Sequence, residues 1–213
     1  MIARHIHDAL RQVREMQERI LLKQRFKGYS GRARALGGCV ALGAGILMHR
    51  RADQLSEISI LWGWLLVAAF SAAINYGALF YWFLSDPGVK RDFRRLKPAL
   101  EVAPVFFAAG VITFSIAGAG AFQLLYGTWL CCYGLAQFCG RDVLPGKIRW
   151  VGSAYLLSGA LACVLPAGGF QATLLFGAVL FAGELAGGLV FHFDETANSG
   201  LRGFLGFPER TTD

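Results

Sequence analysis

The sequence predicts an all-α integral membrane protein: a six-transmembrane-helix bundle of three helical hairpins, preceded by an amphipathic cytosolic helix. Of its 213 residues, 55% are hydrophobic and only 16% are charged, whereas a soluble domain has about 25% charged residues. The charges are also segregated, and residues 102–137 carry none. Because uncharged apolar runs longer than about 18 residues are typical of membrane spans, the low charge content indicates several buried spans.

Six apolar segments follow one another along the chain. Turn-forming sequences separate them: Ser85-Asp86-Pro87-Gly88 follows the second segment, and the short linkers GAGAFQ and PAGGFQ follow the third and the fifth. Arg34, at the start of the first segment, is expected to extend toward the lipid interface. The spans are predicted at 33–48, 58–84, 102–120, 122–140, 148–165 and 171–193, and a short cytosolic tail at 194–213.

An amphipathic helix is predicted in the N-terminal arm, residues 1–32. Apolar residues recur there at alternating spacings of four and three, an a/d pattern of about three heptads. They are Ile2, Ile6, Ala9, Val13, Met16 and Ile20. Three roles are open for this N-terminal stripe: packing on the membrane domain of its own chain, association with another protein or a second copy, and lying in the lipid interface.

Basic residues predict the orientation, because Lys and Arg concentrate in cytosolic loops. They are dense in the N-terminal arm and after spans two and four, whereas the loops after spans three and five carry no charge. Both termini are therefore expected in the cytosol, with a pair of arginines after span one as a mild exception. Contact with anionic lipid head groups is expected for the residues after span two, which are Lys90, Arg91, Arg94, Arg95 and Lys97.

The chain has a net charge of +7, and its basic residues cluster beside the apolar segments. We therefore expect anionic lipid, and not nucleic acid, as the partner of these residues. No cleavable signal peptide is predicted, because the first apolar run follows a long charged segment.

Glu184 lies near the middle of the last apolar segment and is the main candidate site residue. An ionised carboxylate at the bilayer centre costs about 2.5–3.5 kcal/mol or more, so it normally faces the bundle interior and has a partner. Spans two, four and six run in one direction, and Asn75, Gln137 and Glu184 lie within roughly 6 Å of one another in depth. We therefore expect one polar layer that either locks helices together or binds a ligand, an ion or a proton.

Small residues predict where helices approach closely. In the first span these are Gly37, Ala41 and Gly45, and around the buried acid they are Gly183, Gly187 and Gly188. The second group is expected to let a neighbouring helix cover Glu184. A weak internal similarity also links GAFQ-LLYGTWL, from Gly120, with GGFQATLLFGAVL, from Gly168. It is explained either by duplication of a helical hairpin or by chance in apolar sequence.

The sequence contains no motif for enzymatic chemistry. It has no H-E-x-x-H, Walker A, G-x-S-x-G or C-x-x-C pattern, and its four histidines lie outside the apolar cores of the spans. The five cysteines all lie in apolar segments and are expected to act as small packing residues. We therefore predict no catalytic residue, no metal site and no cofactor.

Two classes of function are compatible with these features. The favoured class is a non-enzymatic membrane protein that acts by association, as a subunit, scaffold or sensor that forms a homo-oligomer or binds a partner protein. The alternative is a small transporter or channel that uses the polar layer around Glu184 for a proton, a cation or a small solute. A cavity that reaches Glu184 would favour the alternative.

Overall fold

Helix is the only regular secondary structure in the computed structural model, which describes residues 11–16, 30–85, 100–139, 144–165 and 168–195. The α-helices are α1 (Gly31–Arg50), α2 (Glu57–Ser85), α3 (Ala103–Gly118), α4 (Leu125–Cys139), α5 (Ile148–Val164) and α6 (Thr173–Glu195). Single 3₁₀ turns lie at Ala52–Gln54, Phe122–Leu124 and Gly169–Gln171, and residues 11–16 are helical. The prediction of an all-α chain is therefore confirmed for the described residues.

Each of these six helices coincides with one predicted apolar segment, apart from a few residues at the ends. The capping hydroxyl of Ser30 accepts a hydrogen bond from Ala33 N at 3.3 Å and starts α1. Pro104 lies in the first turn of α3, where its missing N–H costs nothing. Gly120 and Gly168 have positive φ angles of 69° and 74°, which glycine adopts without steric cost, and they reverse the chain before α4 and α6.

Among the described helices, α1 and α6 form the most extensive contact. They run antiparallel, since Gly31 lies against Gly188 whereas Gly45 lies against Gly177. A Cβ atom at Gly45 would stand 2.8 Å from the carbonyl oxygen of Thr173, and the Thr173 hydroxyl donates to Gly45 O at 3.2 Å. The glycines therefore allow the two backbones to approach closely, as small residues do between membrane helices.

A second close antiparallel pair consists of α4 and α5. Gly127 faces Gly159 and Gly134 faces Gly152, and a Cβ atom at Gly127 or Gly134 would stand 2.8 Å from the opposing carbonyl oxygen. Helices that are adjacent in sequence, α1 with α2, α3 with α4 and α5 with α6, also pack on each other. The predicted hairpins are thus in contact, but α1 packs most closely on α6, because their glycines face one another.

The two similar sequence stretches adopt the same local structure. Each begins with a glycine of positive φ, makes one 3₁₀ turn and continues into a helix. The rings of Phe122 and Phe170, at equivalent positions, have centroids 5.7 Å apart. Tyr126 and Phe176 are also equivalent, and their rings stack with centroids 4.3 Å apart. The similarity of the two stretches therefore extends from sequence to local structure, and the stretches pack on each other.

The surface of this bundle exposes large apolar side chains, and its interior contains, among the described residues, two charged side chains beside an apolar core. Large apolar side chains lie on its surface, such as Phe114 at 80% and Trp150 at 79% exposed, whereas the charged Arg34 and Glu184 are only 7% exposed. Soluble domains rarely bury charges and keep most large apolar groups inside. Among the described helices, α2 and the segment Thr173–Phe193 of α6 are long and apolar enough to cross a membrane.

Candidate functional site

A buried ion pair joins Arg34, in the first turn of α1, to Glu184, in the middle of α6. Arg34 Nη2 donates a hydrogen bond to Glu184 Oε1 at 3.2 Å. Arg34 Nε lies 3.0 Å from Oε2 in an ionic contact. Because the guanidinium faces both carboxylate oxygens, the two charges offset each other locally.

Two more helices contribute side chains to this pair. Arg34 Nη1 donates a hydrogen bond to Gln137 Oε1 on α4 at 3.2 Å. The Tyr155 hydroxyl on α5 donates to Glu184 Oε1 at 3.0 Å, and it lies 3.2 Å from Leu180 O. The four side chains form what we call the Arg34 network, and it connects α1, α4, α5 and α6.

The glycines next to Glu184 make room for its partners. A Cβ atom at Gly183 would overlap the phenol ring of Tyr155, and one at Gly187 would overlap the guanidinium of Arg34. At these two positions the space is occupied by side chains of the partners and not by a helix backbone. The neighbouring helix expected to cover Glu184 is α1, which lies against the acid at Gly38, where an added Cβ atom would stand 2.8 Å from Glu184 Cβ.

The other predicted small residues have separate neighbours. Gly188 and Gly45 lie against the opposite helix of the α1–α6 pair, as described above, and Ala41 lies against Gly177. Gly37 faces α2 instead, where an added Cβ atom would stand 3.6 Å from the Ser71 side chain. The predicted small-residue set in the first span therefore serves two different helices.

Asn75 makes no hydrogen bond to the Arg34 network. Its amide nitrogen donates to Ser71 O in its own helix at 2.9 Å. It nevertheless lines the same cavity as Glu184 and Gln137. The three residues of the predicted polar layer therefore surround one space, but only Glu184 and Gln137 share a partner, Arg34.

This space is a cavity of about 580 Å³ between α1, α2, α3, α4 and α6. Small-molecule sites have volumes of about 300–1,000 Å³ and are mostly apolar, with a few polar groups. The polar wall contains Arg34, Ser71, Asn75, Gln137 and Glu184. The remaining wall is mainly aromatic or small and aliphatic, including Trp64, Ala68, Ala72, Ala109, Trp129 and Phe176. The cavity thus has the composition of a site for a small, largely apolar molecule.

An aromatic cluster lies near the starts of α4 and α6, and two of its rings, Trp64 and Phe176, line the cavity. The indole of Trp64 donates a hydrogen bond to the Tyr126 hydroxyl at 3.0 Å, and that hydroxyl donates to Phe170 O, also at 3.0 Å. Phe176 stacks on Tyr126 and meets Trp64 edge to face, with ring centroids 4.7 Å apart. These contacts connect α2, α4, α6 and the turn before α6 at this end of the cavity.

The expectation that Arg34 extends toward the lipid interface was wrong, because Arg34 is only 7% exposed and pairs with Glu184. The sequence does contain a signal for its buried position. Gly31, Arg34, Gly38, Ala41 and Gly45 follow one another at alternating spacings of three and four, and all five are buried on α1. Such spacing places residues on one helix face, so the glycines identify the face that packs on α6 and include Arg34 in it.

The other predicted site residues lie mostly outside the described residues. This holds for Ile2, Ile6, Ala9 and Ile20 of the N-terminal stripe and for Lys90, Arg91, Arg94, Arg95 and Lys97. Val13 and Met16 lie in the described helical segment 11–16 and are 51% and 67% exposed. Within the part of the chain that the structure describes, no group of three His, Cys, Asp or Glu side chains could hold a metal ion.

Compared with protein-family models, with curated proteins and with solved structures, the chain shows no match.

Proposed function

We propose that this protein is a six-span membrane carrier with both termini in the cytosol, and that it binds a small solute in the cavity beside the Arg34 network. The main observation is that the cavity, of about 580 Å³, reaches a charged pair in the interior of an apolar bundle. Ionisable residues inside membrane bundles commonly line solute or ion pathways. No enzymatic role is proposed.

The membrane location of all six helices is supported by their outer surfaces and by their lengths. Large apolar side chains cover much of the outer surface of the helices, which suits lipid as the surrounding solvent. α1 has 20 residues, about 30 Å of helix, and this matches the hydrocarbon thickness of a bilayer. α3, α4 and α5 are shorter, with 16, 15 and 17 residues, and a bilayer accommodates short spans by local thinning.

The basic loops give the proposed orientation of the cavity. With both termini cytosolic, Arg34 lies near the cytosolic end of α1 and Gln137 near the cytosolic end of α4. The hydrogen-bonded aromatic cluster around Tyr126 then lies toward the outside. In this orientation, we propose that the cluster closes the binding space to the external medium.

The ion pair narrows the class of solute. A proton bound at Glu184 would neutralise the carboxylate and leave the buried guanidinium without a counter-ion, and a metal cation would compete with that guanidinium for both carboxylate oxygens. The positive charge of Arg34 would also repel any second cation at this position. A small solute in the adjacent cavity would leave the ion pair intact, so a small solute is better supported as the ligand than a proton or a cation.

Paired cysteine variants would test whether the cavity is open to solutes. Ala72 lines the cavity, whereas its neighbour Ala73 does not, and both are exposed alanines of α2. After replacement of the five native cysteines by alanine, we expect Ala72→Cys to react with a small water-soluble thiol reagent much faster than Ala73→Cys. The reason is that a thiol reacts as the thiolate. A thiolate forms readily in a cavity that contains water but not where the side chain faces lipid. Equal and negligible reaction at both positions would contradict a solute-accessible cavity.

Action by association is the second candidate function. Its support is the helical segment 11–16, on which the apolar side chains of Val13 and Met16 are exposed to 51% and 67%. Exposed apolar residues at heptad spacing are typical of a helix that packs on another helix. A partner protein or a second copy of this chain would cover this surface.

A further inference from the structure

We propose that the ligand of the cavity is a neutral amphiphile, a molecule with an uncharged hydroxyl or amide head and an apolar body, and that it enters from the lipid between α2 and α3. This inference rests on the proposed function, because it specifies the substrate class and the route for the same cavity.

The head group is inferred to be uncharged because the charges of the described residues in the polar wall balance each other. Arg34 and Glu184 are the charged residues among the described residues that line the cavity, and they pair with each other. An anionic head would add a second negative charge beside a single guanidinium, and a cationic head would add a second positive charge beside a single carboxylate. Either would leave a net charge in an apolar surrounding, which is costly.

Unused hydrogen-bonding groups in the polar wall match a hydroxyl or amide head. Asn75 Oδ1 accepts from no described residue, since the amide of Asn75 only donates to Ser71 O. Gln137 Nε2 likewise donates to no described residue, since Gln137 only accepts from Arg34. Both residues line the cavity, so one acceptor and one donor are available for a ligand head that both donates and accepts.

The route is inferred from the packing of the two helices beside the cavity. α2 packs on α1 and α3 packs on α4, and the cavity lies between them with Ala68 and Ala72 on one side and Ala109 and Gly110 on the other. A Cβ atom added at Gly110 would meet nothing within 4 Å. At the level of these four residues the gap between α2 and α3 is lined by small side chains, whereas larger ones, Leu65, Tyr76 and Phe106, line the cavity beside them. We infer that an apolar body from lipid passes between the helices at this level.

Photo-crosslinking with three probes would test the ligand class. The probes share one diazirine-bearing alkyl chain and differ only in the head, which is an alcohol, a carboxylate or a primary amine. The full-length protein is reconstituted in lipid nanodiscs, and labelled peptides are mapped by mass spectrometry. We expect the alcohol to label cavity residues on α2, α3 and α4 saturably, about tenfold or more above the two charged probes, and an unlabelled alcohol to compete.

Two alanine positions provide a matched control for this labelling. Ala72→Trp would fill the cavity and should abolish saturable labelling, whereas Ala73→Trp, outside the cavity wall, should preserve it. Saturable cavity labelling by the acid or the amine at the level of the alcohol would overturn the neutral class and leave the carrier function intact. Absence of saturable labelling with all three probes would overturn the inference; the carrier function would fail with it only if Ala72→Cys is also unreactive.

Discussion

Arg34 and Glu184 connect the first and the last helix of the bundle through an ion pair with 3.0 Å between Nε and Oε2. The two residues are 150 positions apart in the sequence. Removal of one partner would leave an unpaired buried charge, which is strongly destabilising, whereas replacement of both by apolar side chains leaves none. A comparison of single and double variants would therefore separate the energetic cost of one unpaired buried charge from the net contribution of the ion pair to stability.

We expect Glu184→Leu and Arg34→Met each to lower the free energy of unfolding by about 3–5 kcal/mol. The double variant should recover most of this loss, because it buries no unpaired charge. Unfolding monitored by circular dichroism in detergent would measure all three. A double variant whose loss equals the sum of the two single losses would show that the pairing is not what stabilises these side chains.

Glu184→Gln keeps the shape of the side chain and removes its charge, so it is the control for side-chain shape among these variants. Glutamine still offers an oxygen to Tyr155 and Arg34, but it leaves the guanidinium charge without a counter-ion. We therefore expect a loss that is smaller than that of Glu184→Leu and clearly above zero. Full tolerance of glutamine would indicate that hydrogen bonds, and not charge, hold the network together.

The sequence could predict that Glu184 lies inside but could not identify its main partner. The cost of a carboxylate in lipid is a property of one residue, so the inward position follows from the sequence alone. The partner depends on which helices are neighbours and on how each is rotated about its axis. Depth grouped Gln137 and Asn75 with Glu184, but Gln137 accepts from Arg34 and not from Glu184, and Asn75 donates within its own helix. Depth alone could not show this, because it carries no information about the rotation of a helix.

The helix ends could be predicted for a different reason. Polar residues, proline and glycine interrupt the apolar runs at the places where the helices end, for example at Gly120 and Gly168. The pairing of α1 with α6 was harder to predict. The glycines that permit it, such as Gly31 and Gly188, are in contact in the structure but lie near opposite ends of the sequence of the membrane domain. Arg34 was misjudged for the same reason: without α6 beside it, a cation near a span end resembles one that reaches the interface.

Alanine substitutions at Gly45 and Gly43 would test the close packing of α1 on α6. We expect Gly45→Ala to destabilise the protein by about 1–3 kcal/mol, because the new Cβ atom would stand 2.8 Å from Thr173 O. At Gly43 an added Cβ atom meets nothing within 4 Å, so Gly43→Ala should be neutral or should stabilise the helix by up to about 1 kcal/mol. Thermal unfolding of the two variants, compared with the unmodified protein, would check both.

The two glycine positions are well matched, since they lie in the same helix two residues apart. A general requirement for glycine in α1 would make both substitutions equally harmful. Such a result would contradict the role of Gly45 in close helix packing.

The N-terminal stripe makes a prediction about association. Deletion of residues 1–25 should leave the bundle inserted in the membrane but change its oligomeric state or the recovery of a partner protein. The double variant Val13→Gln, Met16→Gln should have the same effect, because it removes two exposed apolar side chains and keeps the length of the chain. Light scattering after size-exclusion chromatography would measure the oligomeric state.

A surface control belongs with the N-terminal variants. Glu15→Gln changes the same short helical segment without altering its apolar side chains, so it should leave the oligomeric state unchanged. If the deletion and the double variant also leave the oligomeric state and partner recovery unchanged, association through Val13 and Met16 is contradicted, and the stripe is better explained by packing on its own membrane domain.

Ala119 and Gly146 would test the proposed orientation in the membrane. Ala119 lies in the exposed turn between α3 and α4, and Gly146 lies in the exposed turn before α5. The positive residues around α5, such as Lys147 and Arg149, are expected to remain cytosolic, which places Ala119 outside. In a variant without native cysteines, an impermeant maleimide applied to intact cells should therefore label Ala119→Cys and not Gly146→Cys. After lysis both should react, and labelling of Gly146→Cys in intact cells would invert the topology on which the external position of the aromatic cluster depends.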